Sequence, residues 1–178
     1  NTFTKENIIE KLDIYNSKRE RTGKQVERLQ GGTLEKGEYI ISLQGWVINA
    51  KGEILLTQRS KTKTHPGMWE PTSGLLTAGE ESIDGMIREI KEEIGLDVSK
   101  DELVLVKEII EKRKDINFFR DIYVIKKDIT LKDIKFSDRE VIAAKFVTIK
   151  KLMEMIENKE AFEWLKYFEE IYKKIMEE

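Results

Sequence analysis

Apolar positions are sparse over the first thirty residues, where one short alternation at Leu12, Ile14 and Tyr15 is followed by turn-forming residues at Thr22, Gly23, Gly31 and Gly32. This pattern predicts an N-terminal extension, residues 1–32, carrying an edge strand or hairpin. Residues 39–48 are rich in β-branched and aromatic side chains, Asn49 and Gly52 mark a turn, and residues 54–57 resume the apolar run, so a strand pair is expected. A charged loop at 61–67 and the segment Met68, Trp69, Glu70, Pro71 then lead into Gly74. Beyond it the period changes: at about 100° per residue, Ile83, Ile87, Ile90 and Ile94 fall within roughly 60° of one another, the buried stripe of a helix. Residues 103–110 and 116–125 read as a hairpin across 111–115, residues 143–149 as a short strand, and residues 150–157 and 159–175 as helices. Strands, helix, strands, helices in that order predict an α/β (α+β) fold, a mixed sheet sandwiched by helices.

A chain of 178 residues suits one well-buried domain, read here as residues 1–178 with C-terminal helices over 150–178. Lysine and arginine number 32 against 34 acids, so the basic excess of a duplex-coating protein is missing and nucleic acid is not favoured as a partner. The absence of cysteine excludes disulfides, thiolate metal sites and cysteine nucleophiles. No apolar run approaches the roughly 20 residues that span a bilayer, and the first residues lack the apolar core of a signal peptide, so a cytoplasmic protein is expected.

On the same helical wheel Glu89, Glu92 and Glu93 spread over roughly 100° opposite the isoleucines, because residues three and four apart are surface neighbours. Three packed anions repel one another, and hard divalent cations such as Mg²⁺ or Mn²⁺ relieve that repulsion. Mg²⁺ characteristically bridges a few carboxylates to substrate phosphates, so a glycine turn at Gly74 beside this patch points to a phosphate-ester or phosphoanhydride substrate. Arg88 lies one turn before Glu92 and Glu80 sits at the helix entrance, where an ion pair between them would lock loop to helix. A glutamate run on a helix is ordinarily a solvated face. Seven fixed identities and two aliphatic positions at this spacing, however, have chance odds on the order of one in a million.

The 74–96 segment resembles the Nudix box, Gly-x5-Glu-x7-Arg-Glu-aliphatic-x-Glu-Glu-x-Gly-aliphatic, and each defining position from Gly74 to Leu96 matches. The resemblance implies an α/β/α sandwich and Mg²⁺- or Mn²⁺-dependent hydrolysis of the diphosphate in a nucleoside diphosphate derivative or related organic diphosphate. Carried over by position, it implies that Glu89, Glu92 and Glu93 ligate metal with Glu89 also a candidate base, that the Gly74 carbonyl adds a ligand, and that Arg88 and Glu80 are structural. Ser73 stands where many members have glycine, and Gly85 and Met86 where small alanines are common; Gly85, on the carboxylate side of the wheel, would leave room for substrate. Many members draw a further carboxylate from beyond the box, for which Glu140 is the best match, with an exposed loop acid as the alternative.

Outside the box, Trp69, Phe118, Phe119 and Tyr123 are candidates for base stacking but more often core, His65 reads as a surface residue, and Arg59 and Lys61 are divided between phosphate contact and solubility. The pattern around Leu12, Tyr15, Thr22 and Tyr39 is similar to a Nudix branch related to isopentenyl diphosphate isomerase, whose cysteine-dependent protonation this chain cannot perform. Family members specific for ADP-ribose tend to carry a proline downstream of the box, whereas Pro66 and Pro71 lie upstream. The implied partner is a small-molecule diphosphate, with no membrane and with a homodimer left open. The rival class is a Nudix-fold binding module without turnover, which loss of box carboxylates would favour; none is lost. An RNA-processing hydrolase is a weaker third reading, because the densest basic stretch, Lys112 to Lys114, is flanked by Glu111 and Asp115.

Overall fold

Strand β3 (Ile40–Ile48) is buried at every position, which is why its sequence is mostly apolar with no regular alternation, Ser42 and Gln44 being its buried polar residues. In this computed structural model, which describes residues 10–27, 34–136 and 140–177, β3 is central to a seven-stranded mixed sheet. It runs parallel to β8 (Asn117–Lys126), which pairs antiparallel with β7 (Leu103–Lys112). On its other side β3 forks. Ile48 meets Ile54 of β4 (Ile54–Arg59), whereas residues 42–45 pair instead with β6 (Thr72–Leu75). β4 diverges to take β5 (Trp69–Glu70) and β9 (Val141–Val147) as its neighbours.

Alternate side chains of the central strands feed two cores. Ile41, Leu43 and Val47 of β3 with Phe119, Tyr123 and Ile125 of β8 pack under helix α1 (Ser82–Ile94) through Met86, Ile90 and Ile94. Trp46 and Ile48 with Ile122 and Val124 pack under α2 (Ile149–Glu157) and α3 (Phe168–Met176), where the Trp46 and Phe168 rings stack 3.8 Å apart. The expected α/β/α sandwich with a mixed sheet is therefore present. The N-terminal pattern forms the hairpin β1 (Lys11–Tyr15) and β2 (Arg21–Glu27), tied to the loop before α1 by Ala78 N–H donating to Lys11 O at 2.8 Å and Gly79 N–H donating to Asp13 at 2.8 Å. The turn expected at Gly31 and Gly32, the first nine residues and Ser137 to Arg139 lie outside the described residues.

Three expectations need correction. The helix expected over 159–175 is broken: Trp69 N–H donates to Glu160 O at 2.9 Å and Ala161 bridges to Trp69, so this stretch is held as an edge of the sheet, then a 3-10 turn at Glu163–Tyr167 precedes α3. The turn expected at Thr22 and Gly23 lies inside β2, and the chain reverses earlier, where Asn16 N–H donates to Glu20 O at 2.9 Å. The strand expected at 143–149 is shifted to Val141–Val147, because Thr148 caps α2 by accepting from Lys151 N at 3.1 Å and Ile149 is already helical.

Helix α1 stops at Gly95, whose φ of 69° is left-handed and whose N–H donates to Lys91 O at 3.0 Å. A Cβ there would lie 2.6 Å from the backbone oxygen of Lys135. Gly95→Ala is therefore expected to lower unfolding free energy by about 1–2 kcal/mol from the left-handed conformation, with the clash adding to it. Chemical denaturation measures this, and a loss within experimental error of zero would contradict the assigned cap.

Candidate active site

The buried face of α1 is turned toward its carboxylates. Gly85, Met86, Glu89, Ile90, Glu93 and Ile94 are its buried residues, while Ile83 and Ile87 are only partly covered. The expected four-isoleucine stripe is thus corrected, and the reason lies at Gly85: a Cβ there would sit 2.5 Å from Leu76 Cδ1 and 2.9 Å from Leu43 Cδ1. Gly85 lets the helix lie close on β3 and the following loop and leaves no substrate space, contrary to the expectation. This approach presses Glu89 and Glu93, each 6% exposed, into the layer between helix and sheet.

Arg88 organises the acids around it. Its Nε and Nη2 donate to Glu80 at 2.7 and 2.9 Å, Nη2 also to Leu75 O at 3.1 Å, and Nη1 to Glu89 Oε1 at 2.9 Å and Glu92 Oε2 at 3.2 Å. Burial works against the guanidinium charge, but the bonds to Glu80 and the proximity of Glu89 raise its pKa above the ordinary arginine value. Burial likewise opposes the Glu80 carboxylate, yet Arg88 and the N–H and hydroxyl of Thr77 hold its pKa below normal. The loop-to-helix ion pair read from the sequence is formed.

The Glu89 carboxyl lies against the α-carbon of Gly74, and a Cβ on Gly74 would overlap it. Glu93 accepts from the Thr57 hydroxyl at 3.2 Å, and its pKa is pushed well above normal by burial first, then by Glu70, Glu89 and Glu140, against the opposing charge of Lys63. Glu140 is placed before β9, its carbonyl accepting from Ser60 N at 3.0 Å and its carboxylate 3.8 Å from Lys63 Nζ. Glu92 is more exposed and rests on Arg88. Among the described residues no three acidic or histidine side chains are gathered into a ready-made cation cage, since Glu89 turns onto Arg88 and Glu93 onto Thr57.

Glu70 was not anticipated. It is buried at the end of β5, its pKa raised by burial despite an ion pair to Arg59 Nη1 at 3.0 Å, and its backbone oxygen accepts from the same Thr57 hydroxyl at 3.3 Å. Glu70 lines a cleft of about 430 Å³ that opens where β3 and β4 fork, together with Ser73, Gln44, Arg59 and Arg120. His65 stands exposed at its rim, edge-on to Phe162 at 5.6 Å. The aromatic side chains in the cleft are Phe162 and Trp164. Of those proposed from sequence, Phe119 stacks on Tyr39 at 4.6 Å, Tyr123 bonds Ser82 at 2.7 Å, Phe118 packs by the β1 core and Trp69 by the α2 core. Arg59 reaches the cleft; Lys61 is exposed in the loop.

A sheet forked over a glutamate-bearing helix, with the box glycine against the box glutamate, defines a Nudix-type site. The NUDIX domain family model matches residues 39–168, and the chain belongs to this family, in the class of Nudix pyrophosphohydrolases. It is 30% identical to an uncharacterized Nudix hydrolase of Listeria monocytogenes, over 81% of this chain and 83% of that one. It is 45% identical over 62 residues to an isopentenyl-diphosphate Delta-isomerase of Paenarthrobacter aurescens, a match covering 34% of each. Its fold is similar to that of DR0079 from Deinococcus radiodurans, with a TM-score of 0.67 at 20% identity over 84% of this chain and 90% of that one. Nudix hydrolases generally use divalent metal ions. Among the described residues no helix is long and apolar enough to cross a membrane.

Arg88→Met would remove the ion pair of Glu80 and the guanidinium bond to Glu89. It is expected to lower unfolding free energy by about 2 kcal/mol, as removal of a partly buried ionic partner does. Denaturant titration of the variant beside Glu80→Gln tests this, with unchanged midpoints in both counting against the clamp.

Proposed function

We propose that the chain hydrolyses the diphosphate linkage of a nucleoside diphosphate derivative or related organic diphosphate, using Mg²⁺ or Mn²⁺ held by Glu89, Glu92, Glu93, Glu140 and the Gly74 carbonyl. The observation that carries this reading is the pair of carboxylates that one helix face presses against the sheet, Glu89 lying on the bare α-carbon of Gly74 and Glu93 on the Thr57 hydroxyl, both buried. The donor set is entirely carboxylate and carbonyl oxygen, the ligands hard divalent ions take. Such an ion, when bound, supplies water activation and neutralises charge on the phosphate oxygens.

The chain's own residues position these groups. Arg88 fixes one oxygen each of Glu89 and Glu92, the Thr57 hydroxyl fixes Glu93, and Arg59 holds Glu70 at the mouth of the cleft. The bare α-carbon of Gly74 lets the Glu89 carboxyl lie at the end of β6. Glu89 is the candidate to accept the proton of the attacking water. The P–O bond to the bridging oxygen then breaks, leaving two phosphate products. The partial likeness to the isomerase does not carry its chemistry over, since there is no cysteine to protonate a prenyl substrate.

With Mg²⁺ or Mn²⁺ and a panel of nucleotide sugars, dinucleotides, nucleoside triphosphates and prenyl diphosphates, phosphate-ester products should be released from at least one, and chelation should abolish release. Glu93→Gln should lower turnover by about 100-fold or more with the circular dichroism spectrum retained. Near wild-type rates in this variant would sink the proposal. Folded protein inactive on the whole panel would favour a binding module. Gly74→Ala, which displaces Glu89, should reduce kcat at unchanged fold; a wild-type kcat would show that Glu89 does not act from where it lies.

A further inference from the structure

The cleft holds more positive charge than its carboxylates answer. Arg59 is matched by Glu70, but Arg113 and Arg120 share the single carboxylate of Glu111, which accepts from Arg113 Nη2 at 3.0 Å and Arg120 Nη2 at 2.9 Å. Arg120 is 7% exposed, its Nε is buried without a hydrogen-bond partner, and its guanidinium lies 4.1 Å over the Trp164 ring. Burial first, and Arg113 beside it, depress its pKa. A planar guanidinium held on an indole face by Trp164 and Glu111, at the wall of the cleft, is preorganised for an anion of defined geometry. Two guanidinium groups facing one carboxylate leave a net positive charge at this wall of the cleft, which an anionic ligand would balance.

Placement says which part of a substrate that is. The cleft runs from Ser73 and Glu70, beside the carboxylates, to Arg113, Arg120 and Trp164 on the α3 side of the sheet. Glu70 lines this cleft and lies close enough to Glu93 for their charges to repel, so a group attached to a diphosphate held at Glu93 has the cleft, with Gln44 and Arg120, beside it. Gln44 is itself fixed there, its Oε1 accepting from Trp46 at 3.0 Å and from the Tyr167 hydroxyl.

Resting on the hydrolase reading, we propose that Arg113 and Arg120 form a specificity site for a further anionic group, a phosphate or carboxylate, on the moiety attached to the diphosphate. Matched pairs isolate that group: NAD against NADP adds one phosphate, and UDP-glucose against UDP-glucuronate adds one carboxylate. Dissociation constants measured by calorimetry in Glu93→Gln protein with Mg²⁺ should favour the anionic member of at least one pair by about tenfold. Which pair responds separates phosphate from carboxylate. In Arg120→Gln, and in the more exposed Arg113→Gln should the first misfold, the ratio should fall to near one whatever happens to the absolute affinities. Ratios near one in both pairs before substitution, or a preference untouched by both substitutions, would overturn the site. Turnover of the same compounds by the unsubstituted protein is scored separately: no hydrolysis with a retained binding ratio would remove the hydrolase reading and leave the anion site standing.

Discussion

Arg88 brings one positive charge to a place where Glu80, Glu89 and Glu92 converge, and its fork geometry lets it hold all three while also donating to the Leu75 carbonyl. A lysine has a point charge and three donors, and could not answer loop, strand and helix together. The clamp joins β6 to the loop and the loop to α1, so the strand bearing Gly74 and the helix bearing Glu89 share one rigid frame. Without it the repulsion among the acids would push the helix from the sheet. The stability of the site and its chemistry therefore rest on the same guanidinium.

The fork of β3 away from β4 is the second constraint. A sheet continuous at residues 42–45 and 56–59 would seal the layer between α1 and the C-terminal helices. Because β6 takes one strand and β5 with β9 take the other, a cleft opens through which residues of both faces meet. Thr57 sits at this junction, its hydroxyl shared between Glu93 on the helix and the backbone of Glu70 on β5. The two faces of the sheet thus contribute different chemistry to one opening, acids from beneath and cations with aromatics from the α3 side.

What was legible in the sequence depended on whether the signal was local. The pairing of Arg88 with Glu80 and the strands near residues 40–48, 54–57, 103–110 and 116–125 follow from local pattern, and the structure has them. The orientation of α1 did not follow, because Gly85 acts by admitting Leu43 and Leu76, which are distant along the chain. Burial of Glu89 and Glu93 is a consequence of that packing, and a wheel that assigns acids to water cannot show it. Glu70 was hidden for a similar reason: a lone acid before Pro71 has no pattern until β5 pairs with β4 at Thr57. The split of the last helix reflects pairing of Ala161 with Trp69, a long-range bridge that overrides local helical preference.

The charges in the cleft are ordered along its length, which bears on how a substrate is oriented. Glu70, paired with Arg59, is the carboxylate of the cleft wall and lies within electrostatic reach of Glu93, whereas Arg113 and Arg120 together face one carboxylate, that of Glu111. Low-dielectric walls such as Trp164 and Phe162 keep such a gradient from being screened as it would be on an open surface. Once a cation occupies the acidic end, both ends attract anions, and a molecule charged at one end only can bind in either direction. A molecule with a diphosphate at one end and a second anion at the other end is fixed in one direction, because divalent ions draw the diphosphate more strongly than a guanidinium pair does. On the proposed reading the carboxylates would decide which bond is placed for attack, and the arginines which molecules arrive in that direction.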